Sequence, residues 1–289
     1  MYLYCKTWRK FLLCLPALLI FGLYMIYPIF DTLYTSFFDK YFMKPGIFIG
    51  IDNYIRAFQD EVFWIGFKNT LIIVVVTFVT QLPIGFLLGK YLAMPYKNGF
   101  FRTVSFIPYT LSGVMTGLIW TFLLDPSTGL FNNLLALGDL PPVMWIGGKT
   151  LTPYSASLVL LWQAVGYHSV LFMAGFKMMP KDALEAASID GANAFQKNIY
   201  VVIPSIKETV KMSATLILVG GINHYQQTFM LTGGGPSHYS ETLGTYTYFI
   251  NFTQKYFGYG SAMAVIVLVI ALGLAVLMLQ ATTKQEDMN

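Results

Sequence analysis

The chain has 289 residues, of which 56% are hydrophobic and only 11% are charged, and its mean hydropathy is +0.59. These values lie outside the range of an ordinary soluble domain and indicate a protein embedded in a membrane. The formal net charge of +4 gives no indication of nucleic-acid binding. The alternating segments of about ten residues that are typical of a membrane β-barrel are absent.

Long apolar segments recur along the whole chain. A helix needs about 20 apolar residues to cross the hydrocarbon core, because each residue adds 1.5 Å. The sequence therefore predicts an all-α integral membrane protein with six transmembrane helices. The predicted helices cover residues 11–30, 70–92, 103–124, 154–176, 210–231 and 261–279. The sixth has no charged residue, whereas the fifth has Lys211 near its start and a polar run inside.

The N-terminal stretch has the basic and apolar regions of a secretory signal, since Lys6, Arg9 and Lys10 precede the first apolar run. That run extends for about twenty residues without a small-residue cleavage pattern, so we expect an uncleaved first helix. Cys5 and Cys14 lie in or beside this helix. Their position predicts packing residues rather than a disulfide.

The distribution of Lys and Arg predicts the orientation of the helices, because cytoplasmic loops are enriched in both residues. An N-terminus inside the cell places twelve of the 18 basic residues in the cytoplasm and six outside. Both termini are therefore predicted to be cytoplasmic. The cytoplasmic set is Lys6, Arg9, Lys10, Lys90, Lys97, Arg102, Lys177, Lys181, Lys197, Lys207, Lys211 and Lys284, and the outer set is Lys40, Lys44, Arg56, Lys68, Lys149 and Lys255.

One cytoplasmic segment, residues 178–209, is much more polar than the rest of the chain. Eight charged residues lie between positions 181 and 211, and inserting them in the membrane would cost on the order of 20 kcal/mol. Gly191 can end a first helix with a positive φ, and Asn193 with Gln196 resembles a capping pair that starts a second. Pro204 then bends the chain before the fifth span. The segment is either a helical hairpin that docks on a partner or an amphipathic linker on the membrane surface.

The spacing within this segment resembles a known family pattern. Glu185-Ala186-Ala187 is followed by three residues, Gly191, nine residues and then Val201-x-Ile203-Pro204. This arrangement is similar to the EAA loop of binding-protein-dependent, type I permease subunits of bacterial ABC importers. Asp190 extends the match, whereas the second proline common in the family is replaced by Ile206 and Lys207.

Two further segments resemble the carbohydrate branch of the same family. The first comprises Leu15-Pro16-Ala17, Tyr27-Pro28 and Ser36-Phe37, and the second comprises Thr232-Gly233-Gly234-Gly235-Pro236 with Glu241-Thr242. The resemblance covers nearly the whole chain and implies a type I ABC importer permease fold. It implies a first helix and outer loop in residues 1–66, a transmembrane core in 67–280 and a cytoplasmic tail in 281–289.

The resemblance also implies partners and a location. The loop 178–209 would be the coupling helix that docks on an ATPase subunit, with Glu185, Ala186, Ala187, Asp190, Gly191 and Pro204 as its functional residues. The expected partners are a second homologous permease subunit, two copies of an ABC ATPase and an extracytoplasmic solute-binding protein. ATP and Mg²⁺ would be bound by the ATPase, so this chain needs no cofactor. The expected location is the bacterial plasma or inner membrane, crossed several times.

The chain lacks the usual groups of other membrane transporters and enzymes. The middles of the six predicted spans contain no Asp, Glu, Lys or Arg, which ion-coupled carriers usually need. Gly147-Gly148-Lys149-Thr150 ends like a phosphate-binding loop, but Val143 stands where the first glycine belongs. No His-Glu-x-x-His motif and no pair of carboxylates lies near His168, His224 or His238 in the sequence, so we expect neither a metal site nor catalysis.

A polar run in the outer half of the fifth span is the candidate substrate site. Amides facing lipid would cost several kcal/mol, so they must face other helices or a water-filled cavity. Amides and aromatic rings suit a neutral, polyhydroxylated solute. Helix–helix hydrogen bonding is the alternative role. The candidate residues are Asn223, Tyr225, Gln226 and Gln227, joined by Gln163 and Tyr167 on the fourth span.

The sequence thus predicts the non-catalytic permease subunit of an ATP-driven importer for a sugar or oligosaccharide, in contact with the lipid bilayer and not with nucleic acid. One alternative is a secondary transporter or channel for a small neutral solute. Another is an ABC permease for a polyol or glycerol phosphate. An integral membrane enzyme would need a metal or carboxylate site that the sequence does not provide.

Overall fold

The computed structural model describes residues 7–94 and 99–283. Over these residues the chain forms fifteen α-helices, three π-helical turns and one two-stranded sheet. Three residues used above for the orientation (Lys6, Lys97 and Lys284) lie outside the described residues, as does most of the predicted tail 281–289. The chain divides into two compact units, residues 1–60 with 247–268 and residues 61–246 with 269–289.

The first unit is built on an apolar helical rod. Helices α1 (Thr7–Phe21) and α2 (Tyr27–Thr35) are joined by a π-helical turn, Gly22–Ile26. Strands β1 (Phe38–Asp39) and β2 (Ile47–Phe48) then pair antiparallel, and α3 (Asp52–Gln59) follows. The buried Asn53 side chain donates to the backbone carbonyls of Ser36 at 2.9 Å and Phe38 at 3.0 Å. These bonds fix α3 against the end of α2.

The second unit contains most of the helices. They are α4 (Glu61–Ala93), α5 (Gly99–Thr110), α6 (Gly113–Leu123), α7 (Leu130–Ala136), α8 (Thr152–Met178), α9 (Lys181–Ile189), α10 (Ala194–Lys197), α11 (Ile203–Ser205), α12 (Lys207–Ile222), α13 (Tyr225–Thr232) and α14 (Leu243–Tyr248). A π-helical turn, Asn198–Val202, joins α10 to α11, and another, Phe249–Thr253, follows α14. The last two residues of α14 and the turn at 249–253 belong to the first unit. The last helix, α15 (Phe257–Thr283), begins in the first unit and ends in the second.

Small residues set the packing of α4 on α8. A Cβ atom on Gly89 would lie 2.5 Å from the Cβ of Phe172 and 2.7 Å from the carbonyl oxygen of Ser169, so only glycine fits there. Small residues at helix crossings let two membrane helices approach closely. An apolar cluster that includes Ile73, Trp120 and Val159 fills the space between α4, α6 and α8.

Within residues 7–94 and 99–283, four helical stretches are long and apolar enough to cross a membrane: Phe11–Thr35, Glu61–Ala93, Thr152–Met178 and Phe257–Met278. They coincide with the first, second, fourth and sixth predicted spans. The protein is therefore a helical, multi-pass membrane protein.

The third and fifth predicted spans are not single straight helices, and the sequence expectation is wrong on this point. Helices α5 and α6 meet at an angle of 99°. The Ser112 hydroxyl caps α6 by accepting from the backbone N–H of Met115 at 3.2 Å, which starts a new helix inside the apolar run. The fifth segment is interrupted at Asn223 and His224, whose backbone angles leave the helical range between α12 and α13.

Candidate functional site

A cavity of about 290 Å³ lies within the second unit, among α4, α5, α8, α12 and α13. It includes the polar residues at the break between α12 and α13, and reaches polar side chains on α4 and α8. The lining residues are Thr77, Gln81, Tyr109, Leu160, Gln163, Ala164, Tyr167, His168, Leu216, Ile217, Gly220, Gly221, Asn223, His224 and Gln227.

Two glutamines connect the walls of the cavity. The Gln227 amide nitrogen donates to the Gln163 side-chain oxygen at 2.8 Å, which joins α13 to α8. The Gln163 amide nitrogen donates in turn to the backbone carbonyl of Leu111 at 3.1 Å, in the break between α5 and α6. Each amide retains further hydrogen-bonding positions, because an amide has two donors and two acceptor lone pairs.

A pair of stacked rings forms another part of the lining. The Tyr109 and Tyr167 rings lie 4.5 Å apart between centroids at an interplanar angle of 18°. Gly166 makes this possible, since a Cβ atom there would lie 1.7 Å from the carbonyl oxygen of Ser105. The backbones of α5 and α8 therefore touch at this point, which brings the two tyrosines together.

Two buried histidines complete the polar lining. The Nδ1 atom of His168 lies 3.0 Å from the Ser213 hydroxyl and shares a hydrogen bond with it. His224 is only 2% exposed. The Gly221 backbone carbonyl lies near its ring, but neither ring nitrogen makes a hydrogen bond of good geometry with any described residue.

The chemistry of this cavity is polar but uncharged. None of the described lining residues is Asp, Glu, Lys or Arg. Amides, hydroxyls and imidazoles can donate to and accept from hydroxyl groups, and the tyrosine rings offer flat apolar faces. A charged ligand would lose its hydration without gaining a counter-ion, which is costly. The arrangement therefore suits a neutral ligand that carries many hydroxyl groups.

The structure brings together four of the six predicted substrate residues: Gln163, Tyr167, Asn223 and Gln227 all line the cavity. Tyr225 and Gln226 do not. Tyr225 lies against Gly244, and the Gln226 side chain packs on Gly113. The sequence reasoning missed Thr77, Gln81, Tyr109, His168 and His224 as lining residues. The signal available in the sequence was a lone glutamine, Gln81, within the apolar span 70–92.

The segment 178–209, for which the sequence resemblance implies a coupling role, has the predicted hairpin geometry. It is called the coupling loop below. Helix α9 ends before Gly191, which has a φ of +77°. A capping box starts α10: the Asn193 side chain accepts from the Gln196 backbone at 2.9 Å, and the Gln196 side chain accepts from the Asn193 backbone at 2.8 Å. The chain breaks again at Ile206, directly after the short helix that contains Pro204. Five of the six predicted coupling residues (Glu185, Ala186, Asp190, Gly191 and Pro204) are exposed, and Ala187 is half-buried.

The coupling loop is attached to the helix bundle by an apolar cluster. Phe172, Val202 and Ile206 are its buried centre. Leu184 of α9 and Phe86 of α4 pack against that centre. The opposite side of the hairpin remains exposed and carries apolar groups, with Ile189 87% and Phe195 71% exposed. An exposed apolar surface of this kind favours contact with a partner.

The Gly-Gly-Gly-Pro turn after α13 is built around a buried carboxylate. Glu241 is 1% exposed and accepts hydrogen bonds from the Thr245 hydroxyl and from Nδ1 of His238, the latter at 2.9 Å. A Cβ atom on Gly234 would lie 2.2 Å from this carboxylate. The Asn69 side chain bridges the carbonyls of Tyr239 and Glu241 at 2.9 and 2.8 Å. Through these contacts the Gly-Gly-Gly-Pro motif forms a compact turn that is held against α4.

The segment at residues 147–150 is a surface turn. The Lys149 ammonium lies 4.1 Å from the centre of the Tyr239 ring, a cation–π contact with the turn after α13. Throughout residues 7–94 and 99–283, no group of three or more His, Cys, Asp or Glu side chains is arranged to hold a metal ion.

Residues 81–283 match the family described as the binding-protein-dependent transport system inner membrane component. The chain belongs to this family. A relative of similar length is the probable ABC transporter permease protein YurN of Bacillus subtilis (strain 168). It is 34% identical over 284 residues, which is 96% of this chain and 97% of YurN. The resemblance of the sequence to the permease subunits of ABC importers is thereby confirmed.

Two other similarities bear on substrate and fold. The diacetylchitobiose uptake system permease protein NgcF of Streptomyces coelicolor (strain ATCC BAA-471 / A3(2) / M145) is 30% identical over 90% of this chain and 78% of its own length. A chain in the crystal structure of a bacterial alginate ABC transporter, in complex with an alginate pentasaccharide-bound periplasmic protein, has a TM-score of 0.80 at 21% identity. That match covers 94% of this chain and 92% of the other. The fold is therefore that of an ABC importer permease.

Proposed function

We propose that this chain is the permease subunit of an ATP-driven importer for a neutral sugar or oligosaccharide. The observation that carries this proposal is the uncharged cavity of amides, tyrosines and histidines within the segment that matches the permease family. A carbohydrate, diacetylchitobiose, is also named as the substrate of NgcF. The cavity is the proposed passage site for the solute, with Gln163, Tyr167, Asn223 and Gln227 in contact with it.

The proposed assembly follows that of a binding-protein-dependent importer. It comprises this chain, a second homologous permease subunit, two copies of an ABC ATPase and an extracytoplasmic solute-binding protein. ATP and Mg²⁺ are bound by the ATPase, and this chain is non-catalytic. The exposed side of the coupling loop, with Glu185 and Gly191, is the proposed docking surface for the ATPase. The proposed functional division is a first segment of residues 1–66, a core of 67–280 and a tail of 281–289.

The proposed topology has six membrane crossings with both termini in the cytoplasm. The bent pair α5–α6 and the interrupted pair α12–α13 each supply one crossing. This topology is tested with single cysteines in a background in which Cys5 and Cys14 are replaced by serine. A cysteine at Lys197 should react only with a membrane-permeant reagent in intact cells, and one at Lys149 also with an impermeant reagent. Impermeant labelling at position 197 would refute the proposed coupling loop.

The dependence on ATP tests the function itself. Labelled neutral sugars (maltose, arabinotriose and diacetylchitobiose) are offered to cells that express the chain with its partner subunits. Uptake of the transported sugar should stop when ATP is depleted and persist when an uncoupler removes the proton gradient. Uptake that survives ATP depletion and stops with the uncoupler would instead identify a secondary transporter, the main alternative.

A further inference from the structure

A polar contact joins the coupling loop to the end of α4. The Lys90 ammonium, in the last turn of α4, donates to the Asn198 side-chain oxygen at 2.6 Å. Asn198 is the first residue of the π-helical turn that follows α10. Both side chains are half-buried, so water only partly competes for this bond. Hydrogen bonds with a charged donor are shorter and stronger than neutral ones.

The position of Lys90 at the end of α4 stabilises the positive charge of its ammonium group. Backbone carbonyls at the C-terminal end of a helix carry partial negative charge, which stabilises a cation in the last turn. The acceptor is a neutral amide rather than a carboxylate. The contact is therefore directional without being a full ion pair, and it fixes where the π-helical turn sits along α4.

The side chains of the apolar cluster beside the Lys90–Asn198 contact are held by packing alone and not by hydrogen bonds. The Phe86 ring, one turn before Lys90, lies 5.7 Å from the Phe172 ring and 5.2 Å from the Phe176 ring, measured between centroids. Val202 and Ile206 of the coupling loop belong to the same cluster. Apolar packing is non-directional and can slide by small amounts. The Lys90–Asn198 bond resists such sliding, because a hydrogen bond depends on angle and distance.

Helix α4 also reaches the cavity. Thr77 and Gln81 of α4 line it, and the nine residues from Gln81 to Lys90 correspond to about 14 Å along the helix axis. Gly89 holds this part of α4 directly against α8, which carries Gln163 and Tyr167. A displacement of the end of α4 therefore has a continuous helical path to two walls of the cavity.

We propose that Lys90 and Asn198 are positioning residues that make the coupling loop and α4 move as one body when the ATPase moves the loop. This inference rests on the proposed function. Without the hydrogen bond, the loop slides over the apolar cluster and its movement reaches the cavity incompletely. Neither residue touches the solute.

The test uses the complete transporter, purified from a background without Cys5 and Cys14 and labelled with spin probes at Val79 and Tyr200. Val79 lies on α4 and is 63% exposed, and Tyr200 lies beside Asn198 and is 74% exposed. The distance between the probes is measured by pulsed electron resonance without nucleotide and after trapping with Mg-ATP and vanadate. In the wild type the distance should be the same in both states. In Lys90→Met and in Asn198→Leu it should change by more than about 2 Å, the upper range of helix shifts at interfaces.

Three controls make the result decisive. Lys90→Arg keeps a charged donor and should restore the constant distance. Lys177→Met removes an exposed lysine from the last turn of α8 and should have no effect. The double variant Lys90→Met/Asn198→Leu should be no worse than either single variant, because both remove the same bond. Complex yield and thermal stability are measured throughout, and we expect them to stay near wild type.

The outcomes separate this inference from the proposed function. A wild-type distance that changes on trapping, or a Lys90→Met distance that stays constant, overturns the positioning role. If Gly191→Val abolishes transport while Lys90→Met has no effect, the coupling loop functions but this contact does not transmit its movement. If no ATPase subunit purifies with the chain, the proposed function itself fails.

Discussion

The coupling loop and the cavity are stabilised in opposite ways. The loop holds its shape through contacts between residues close in sequence: Asn193 and Gln196 cap α10 across three positions. The cavity is held by contacts across long stretches of chain, such as the bond between Gln163 and Gln227 across 64 positions. The loop is charged and mostly exposed, whereas the cavity lining is uncharged and largely buried.

This difference determines how each region responds to change. The loop conformation depends on a few backbone angles and caps, so a substitution there alters the hairpin while the helix bundle stays intact. The cavity depends on close contacts between backbones of different helices, so a substitution at such a contact disturbs the bundle. Altered loops should therefore leave complex yield normal, and altered helix contacts should lower it.

The largest expected effect is at Gly166, where α5 touches α8. Gly166→Ala places a methyl group 1.7 Å from the Ser105 carbonyl oxygen, and backbone cannot move aside as a side chain can. Overpacking of this kind costs about 3 kcal/mol at the upper end of the usual range. We expect loss of complex yield and a lower melting temperature in detergent. Gly273→Ala, with no atom within 4 Å of the added Cβ, is the matched control. A normal melting temperature for Gly166→Ala would mean that the two helices are not in fixed contact.

The second effect concerns the turn in the coupling loop. Gly191 has a φ of +77°, which valine strongly disfavours. Gly191→Val should keep a normal complex yield but lose at least about tenfold in sugar-stimulated ATP hydrolysis, the effect of about 1.4 kcal/mol on an equilibrium between conformations. Gly191→Asn should retain most activity, because asparagine tolerates positive φ. Ser188→Ala, on the preceding helix, serves as a mild control. Equal activity of the valine and asparagine variants would show that the backbone angle is unimportant for coupling.

A smaller effect is expected in the cavity lining. In the proposed site, Asn223→Ala and Gln227→Ala would each remove hydrogen bonds to a solute hydroxyl, at about 1 kcal/mol net for each bond. The apparent affinity for the transported sugar should fall several-fold to about tenfold, with basal ATP hydrolysis unchanged. Gln226→Ala is the matched control, because Gln226 belongs to the same polar run but does not line the cavity. Normal yield with normal uptake in both lining variants would reject the site, and low yield with low uptake would assign them to helix packing.

The smallest effect is expected at the cap of α10. Asn193→Ala removes the side-chain acceptor for the Gln196 backbone N–H, which costs about 1 kcal/mol of local helix stability. The loss of stability is largely confined to the exposed hairpin, so the transport rate should drop only a few-fold. Asn193→Asp keeps a good capping group and should match the wild type. Hydrogen exchange of the α10 backbone amides measures the local effect directly. Unchanged exchange in Asn193→Ala would show that the cap is not what holds this helix.

The sequence was most informative where structure depends on neighbouring residues. The cap at Asn193 and the positive φ at Gly191 follow from residues within three or four positions of each other, and both occur as predicted. The four uninterrupted spans follow from hydropathy alone, because a lipid environment requires apolar side chains throughout. In these segments local preference and global fold agree.

The breaks in the third and fifth spans and most of the cavity lining could not be predicted from neighbouring residues in this way. A hydropathy average over residues 103–124 does not register that Ser112 starts a new helix, since one hydroxyl hardly changes the mean. Tyr109 and Tyr167 stack because glycine lets two helices touch, and that contact joins residues 58 positions apart. The polar run at 223–227 was visible, but only the backbone break shows which of its side chains turn towards the cavity.

The bond between Gln163 and Gln227 has a consequence for how tightly any solute is held. The two side chains already hydrogen-bond to each other at 2.8 Å. A hydroxyl that inserts between them exchanges one set of hydrogen bonds for another, so the net gain is a small part of the gross interaction energy. Fast passage requires a site that releases its cargo as readily as it accepts it. This pair of amides thus favours a short residence time for a solute that binds between them.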